Sequence, residues 1–414
     1  MNVQVAPAMS DTDAYVLDAT GAKVRTFLYG LAEGTTDYRS LHNLTEQVEH
    51  QYHGRFLVEL IQNAHDQLLE AASGERQPAR IEVALTGEGP HGTLYVANDG
   101  KPFSRSNFDS LSNLGQSDKD PQASIGHKGI GFRSVLEITE SPEIYSRHSL
   151  DSAGFDGFCF AFSPAVIRQL YEPIAALVNG NDDAAFPFGA APLVDWDAKM
   201  RHKLRSSVQQ RAENDGRTVS QWLQTEMKYL SAYTLPFPLE ARVATGRTRE
   251  FEQRGFSTVI RFPLKSAAAR ASVVERLTAL QPRDLLFLPR LSCLTLDSGD
   301  GRRQLTRRQQ ARVDSVHRGY ELTIEGGGGA EPDRFLVWER VLALTSAPEP
   351  VQASIAQLPG KWPLLRHATV SIAARRSDRA DSACRRDRSI GARYHSAPAR
   401  PRARARAPSG PVRR

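Results

Sequence analysis

Arg55–Glu70 reads RFLVELIQNAHDQLLE, and the reading of this stretch decides the fold. Leu57, Ile61, Ala64 and Leu68 recur at steps of four, three and four, which builds one apolar stripe along a helix. Glu59, Asn63, Asp66 and Glu70 repeat those steps two residues later. Two residues are about 200° of helix rotation, so the carboxylates and the amide lie opposite the stripe. A solvated outer face normally mixes Lys, Arg and Glu. This one carries only carboxylates and an amide, and Asn is a poor helix former. The pattern points to a face kept for chemistry.

Two further stretches follow in order. Val96–Phe103 reads VANDGKPF and Ile125–Val135 reads IGHKGIGFRSV. The first ends a strand at Asn98-Asp99-Gly100, where Asp-Gly is an ordinary turn signal. The second spaces Gly126, Gly129 and Gly131 before a helical run, leaving exposed N–H groups near a helix start, where the dipole favours anions. Lys128 adds a cation there. Arg133 reads equally well as a phosphate contact or as a solvated residue, and His127 reads as a spacer.

An acidic helix, an Asp-Gly turn and a glycine loop in that order resemble the GHKL, or Bergerat-fold, ATPases, a superfamily of histidine kinase-like ATP-binding domains. The wording is closest to the sacsin-like branch and covers roughly residues 39–296. The resemblance implies a two-layer α/β sandwich: a mixed, largely antiparallel sheet with helices on one face. It implies Mg²⁺-dependent hydrolysis of ATP to ADP and phosphate, with Glu59 as catalytic base and Asn63 as magnesium ligand. It places Asp66 in the nucleotide pocket, Asp99 on the adenine amine, and Gly126, Lys128, Gly129 and Gly131 on the phosphates. Gly100 would let the backbone approach the base. Thr258, in STVIRF, would reach the adenine carboxylate. Residues 115–124 stand where the family carries a mobile lid. Pro102 replaces the second glycine of the commoner pattern, as it does in sacsin-like members. A chaperone-like ATPase acting on client proteins and an ATP sensor without turnover are the alternatives.

Bulk composition agrees with a globular chain. Of 414 residues, 40% are hydrophobic and 24% charged, and no apolar run approaches the ~18 residues of a membrane span. The N-terminus has no basic region followed by an apolar core, so no signal peptide is expected. Cys159, Cys293 and Cys384 form no Cys-x-x-Cys pair, which makes a reducing cytoplasm the default. From Arg375 onward there are 13 Arg, no Lys and 3 Asp, a local charge of +10; the overall +6 less this leaves −4 for the body. The basic run could recruit nucleic acid by counterion release, but a solvated tail or a shifted reading frame is favoured. Protein partners and a homodimer are compatible with the reading, and no membrane partner is expected.

The chain then divides into an N-terminal segment (1–35), an ATP-binding domain (36–300) with a helical insertion at about 164–232, an α/β segment (301–373) and a disordered Arg-rich tail (374–414). Within these, 1–20 is expected to be unstructured, 23–31 a short helix, and 43–50 a helix opened by Asn43 and Glu46. Residues 81–86 and 93–97 read as a hairpin. Leu235–Leu239 (LPFPL) cannot be a central strand, because two prolines remove ladder donors. His50, His53 and His65 have no metal-site spacing, and His65 is placed at a helix flank.

Overall fold

In a computed structural model, residues 10–35, 38–39, 54–69, 79–112, 131–186, 196–239, 244, 246–313, 318–326, 331–357, 362–376 and 391–393 are described. The expected helix at 43–50 lies outside these residues.

The chain begins with a longer helix than its sequence suggested. Helix α1 (Asp11–Glu33) starts at Ser10, whose side chain caps the Asp13 amide while Asp13 returns the bond to Ser10. That reciprocal capping box fixes the start twelve residues earlier than expected. Val16, Thr20, Val24, Phe27, Leu28 and Leu31 then form its buried stripe.

The organising helix α2 (Phe56–Gln67) buries Leu57, Ile61 and Ala64, with Leu68 buried just past its end. The hairpin follows as β1 (Arg80–Thr86) and β2 (Thr93–Asn98), paired antiparallel from Ile81↔Asn98 to Thr86↔Thr93. Helix α3 (Arg105–Ser112) leads on to Gly131–Glu137, a 3₁₀ turn where an α-helix was expected. It stops there because the Thr139 hydroxyl is held by the Pro263 carbonyl at 2.6 Å, turning the chain into β3 (Glu143–Ser146). Strand β4 (Cys159–Ala161) precedes α4 (Pro164–Val178). Helices α5 (Ala198–Asn214) and α6 (Val219–Met227) are separated at Gly216, whose φ of 64° is the left-handed conformation glycine tolerates. The LPFPL stretch supplies only β5 (Phe237–Pro238), at the end of the sheet. After it come α7 (Gly246–Gln253), β6 (Thr258–Pro263), α8 (Ala267–Ala279), β7 (Cys293–Asp297) and β8 (Arg302–Val313).

The chain folds as two compact units. In the first, Met1–Arg308 with Thr323–Asp333, the strand order is β8-β7-β1-β2-β6-β3-β4-β5. Strand β7 runs parallel to β1 and the other pairings in this order are antiparallel, so the sheet is mixed and largely antiparallel, and the class is α/β. Alternation assigns the two faces. Ile144, Phe160 and Ile260 pack with Val16 of α1 and Phe108 of α3 on the helix-bearing face, where α2 contacts β1, β2 and α8. The opposite face is also covered: Ala84, Tyr95, Ala97 and Val259 pack against Phe251 of α7, Phe155 and Phe256. The N-terminal segment is not separate. Phe27, Leu28 and Leu31 of α1 share one apolar core with Leu170, Val208 and Trp222 of the helical insertion.

The second unit comprises Gln309–Leu322 and Arg334–Arg414, to which β9 (Arg318–Glu325) and β10 (Asp333–Ala343) contribute. Here β10 pairs antiparallel with β11 (His367–Arg376), which pairs with β12 (Gly391–Arg393), beyond the small helix α9 (Glu349–Ala356). The basic run expected to begin as a disordered tail at 374 therefore starts inside a strand, and residues 391–393 pair with it. Residues 377–390 and 394–414 lie outside the described residues.

On the α7 face, β1 buries a charge. Glu82 is 1% exposed, and its carboxylate accepts from Arg247 at 3.0 Å, from both terminal nitrogens of Arg254, and from Arg302 at 3.4 Å. Burial acts most strongly on the Glu82 carboxyl and pushes upward, but the hydrogen bonds and charge of Arg254, with the charges of Arg302 and Arg247, hold it below the ordinary carboxylate value. A carboxyl lowered in the folded state contributes stability above its unfolded value, and loses it as pH falls through the folded one. Glu82→Gln should cost about 2–4 kcal/mol at pH 7, less than a fully buried pair because the guanidiniums are partly exposed. Urea melts of both proteins should converge as the pH is lowered below about 4.5; a gap that stays constant with pH would show that Glu82 does not act through its charge.

Candidate functional site

The polar edge of α2 keeps the arrangement its spacing implied. Glu59 and Asn63 are half-buried and lie one turn apart, on the flank opposite buried Leu57 and Ile61. The 3₁₀ turn Gly131–Glu137 packs against α2, and Glu137 accepts the Gly54 amide at 2.7 Å, at the start of α2. Gly126, Lys128 and Gly129, and the lid segment 115–124, lie outside the described residues.

Asp66 sits differently from Glu59. Its carboxylate is 3% exposed and lies 3.6 Å from His65 Nδ1, and its carbonyl accepts from Arg290 at 3.3 Å. His65 is not at a flank: it is 2% exposed, and its Nε2 accepts the Arg290 amide at 3.2 Å. Nδ1, on the other side of the ring, is buried without a hydrogen bond. This pair fastens α2 to the segment leading into β7. Among the described residues no three His, Cys, Asp or Glu side chains gather as a metal cluster. Glu59 carries carboxylate oxygens and Asn63 an amide oxygen, ligand types that suit Mg²⁺, which keeps several waters and needs few protein ligands.

Gly100 is where the helix and hairpin meet. The Lys101 amide donates to the Gln67 carbonyl at 2.8 Å, past the last turn of α2. A Cβ on Gly100 would fall inside the van der Waals shell of that carbonyl oxygen and 2.8 Å from Leu68 N. The close approach that glycine allows is therefore to the helix end, not to a base.

Asp99 is the main correction. Its Oδ1 accepts the Arg80 amide at 2.8 Å and its Oδ2 accepts Arg80 Nε at 2.9 Å. The Arg80 guanidinium lies 5.0 Å from the Phe256 ring centre and donates to the Arg254 carbonyl. Phe256 belongs to the core on the α7 face, so Asp99 turns away from α2. Thr258 does not meet it. In register, Asn98 faces Thr258, and Thr258 faces Ser146 on the other side. The Thr258 and Ser146 hydroxyls are 3.2 Å apart, and Ser146 accepts the Phe103 amide at 2.8 Å. Asn98, Thr258 and Ser146, all buried, thus form the polar row at the strand ends on the helix-bearing face. Sequence reading missed Asn98 and Ser146. The signal for Asn98 was present: Leu94, Val96 and Asn98 share a face by alternation, and Asp99 does not.

Residues 39–151 match the sacsin domain. A stretch of 125 residues is 33% identical to Protein NO VEIN of Arabidopsis thaliana, covering 30% of this chain and 4% of that protein. Over this stretch, which holds α2, the β1–β2 hairpin and the glycine loop, the chain is sacsin-like. The chain aligns with only this small fraction of its relative's length.

Gly100→Ala tests the helix–hairpin junction. Ala would be tolerated by the local backbone, since Gly100 is not among the glycines with positive φ, so the loss should be purely steric, about 2 kcal/mol or more in a urea melt. Unchanged stability would mean that the Gln67 contact does not hold the hairpin.

Proposed function

We propose that this chain binds Mg·ATP along the polar edge of α2 and hydrolyses it to ADP and phosphate. The observation that carries the reading is the pair Glu59 and Asn63, half-buried and one helical turn apart on the helix that the Gly131–Glu137 turn contacts. The sacsin-like match over the same residues supports it.

Hydrolysis needs a place for triphosphate charge, a metal and an oriented water. Bound Mg²⁺ would neutralise phosphate charge. Asn63 offers it an amide oxygen without adding negative charge beside the phosphates. Glu59, about 6 Å further along the helix, orients the attacking water and accepts its proton. The glycines at 126, 129 and 131 offer backbone N–H groups to the phosphates, with Lys128 as a point charge. Closure of residues 115–124 over the nucleotide would exclude water and pass the nucleotide state to a partner. Asp66 acts from behind, through its contact with His65, rather than on the nucleotide itself.

Glu59→Ala separates hydrolysis from binding. Calorimetric titration with Mg·ATP should give affinity within a few-fold of the wild type, while phosphate release falls by about 10²–10⁴-fold. A wild type that binds ATP and never releases phosphate would replace the hydrolase reading with that of an ATP sensor. Wild-type turnover that survives in Glu59→Ala would remove Glu59 from the mechanism.

A further inference from the structure

Asn98 is 4% exposed and sits at the end of β2, two residues before the Gly100 contact with α2. Its Oδ1 accepts the Gly100 amide at 3.2 Å, and this bond decides which end of the side-chain amide is oxygen. Nδ2 is the end left over, and none of the described residues bonds it. Buried amides ordinarily spend their donors. Around it, the Thr258 and Ser146 hydroxyls are engaged with each other, and Ser257 Oγ lies within hydrogen-bonding distance of the Asn98 and Gly100 carbonyls, 3.1 and 2.7 Å away. Asp99, by contrast, has a hydrogen bond from Arg80 on each carboxylate oxygen and faces the other side of the sheet.

Resting on the nucleotide-binding reading above, we propose that Asn98 is the side chain that meets the nucleobase, and that it makes the site tolerant of both adenine and 6-oxopurine nucleotides. An amide presents a donor and an acceptor side by side. Adenine offers an amine that donates and a ring nitrogen that accepts, and it meets both: the second lone pair of Oδ1 takes the amine, and Nδ2–H goes to the ring nitrogen. Asn pairs with adenine in this two-bond fashion where proteins read base edges. Hypoxanthine and guanine carry a carbonyl oxygen in place of the amine and an N–H in place of the bare ring nitrogen; displaced by one position along the amide, they set the carbonyl on Nδ2–H and the ring N–H on Oδ1, again two bonds. A carboxylate at the same place only accepts, so it would take the amine and repel the carbonyl. The residue type at 98 therefore sets the base preference, and the residue at 99 does not.

The test titrates the full chain with Mg·ATP and Mg·ITP, which differ at the six-position of the ring, by calorimetry. The wild type should bind the two within about ten-fold of each other, and Asn98→Asp should raise the preference for ATP by about ten-fold or more. A substitution that merely loosened the fold would weaken both nucleotides together, so the ratio separates a base-reading role from a structural one. Should Asn98→Asp fail to fold, the wild-type ratio decides alone. A wild-type ratio above ten-fold, or an unchanged ratio in folded Asn98→Asp, overturns the assignment and leaves nucleotide binding standing. The assignment falls in the same way if Asp99→Asn shifts the ratio instead. A wild type that binds neither nucleotide removes the nucleotide reading, and this inference with it.

Discussion

One hydrogen bond joins the two halves of the candidate site: Lys101 N–H to the Gln67 carbonyl, at 2.8 Å. It satisfies one of the carbonyls that a helix end otherwise leaves without a partner. It forms because Gly100 has no side chain to keep the hairpin off the helix. Everything that follows in space depends on this contact. It sets the end of β2 beside the last turn of α2, and so puts the polar row at Asn98, Thr258 and Ser146 on the same side of the sheet as Glu59 and Asn63. A bulkier residue at 100 would separate a strand end from a helix end, not merely adjust a turn.

Arginine–carboxylate pairs hold the α7 face of the sheet. On the α7 face, Glu82 and Asp99 are each held by arginine, Glu82 by three guanidiniums and Asp99 by Arg80 through both side chain and backbone. These pairs fix strands and helix α7 to one another: Arg247 and Arg254 reach Glu82 from either end of that helix. On the helix-bearing face, the acidic edge of α2 includes no arginine or lysine of its own helix. The side chains at the end of the hairpin are thus divided: Glu82 and Asp99 go to the α7 face and Asn98 to the other. The division follows from alternation along β1 and β2, since a shift of one residue exchanges the faces.

That dependence explains which parts could be read from sequence. The hairpin and the exclusion of LPFPL from the middle of the sheet were legible, because alternation and missing ladder donors are local properties. Helix α1 was partly hidden, since its stripe passes through Thr20 and its start depends on a capping box in an otherwise polar stretch. Asp99 was misplaced for a different reason. A carboxylate before a glycine looks like the base acceptor until its strand is paired, and its partner Arg80 lies 19 residues upstream. Face is set by register, and register by contacts that no short motif contains. The burial of His65 was hidden likewise, because Arg290 lies 225 residues downstream.

The approach to α2 is held at both ends by buried or half-buried carboxylates. Glu226 of the helical insertion, 3% exposed at its side chain, accepts from Tyr38 at 2.5 Å and from Arg39 through two nitrogens. Burial and the neighbouring Glu226 carboxylate push the Tyr38 hydroxyl far above the usual tyrosine value, so it stays a donor at any physiological pH. Glu137 takes the Gly54 amide at the other end. A buried carboxylate stripped of its donors is costly, so Glu226 ties the insertion to Tyr38 and Arg39. The same insertion shares its core with α1. Helices that interrupt the sheet in sequence are therefore joined in space both to α1, through a shared core, and to Tyr38 and Arg39, through Glu226.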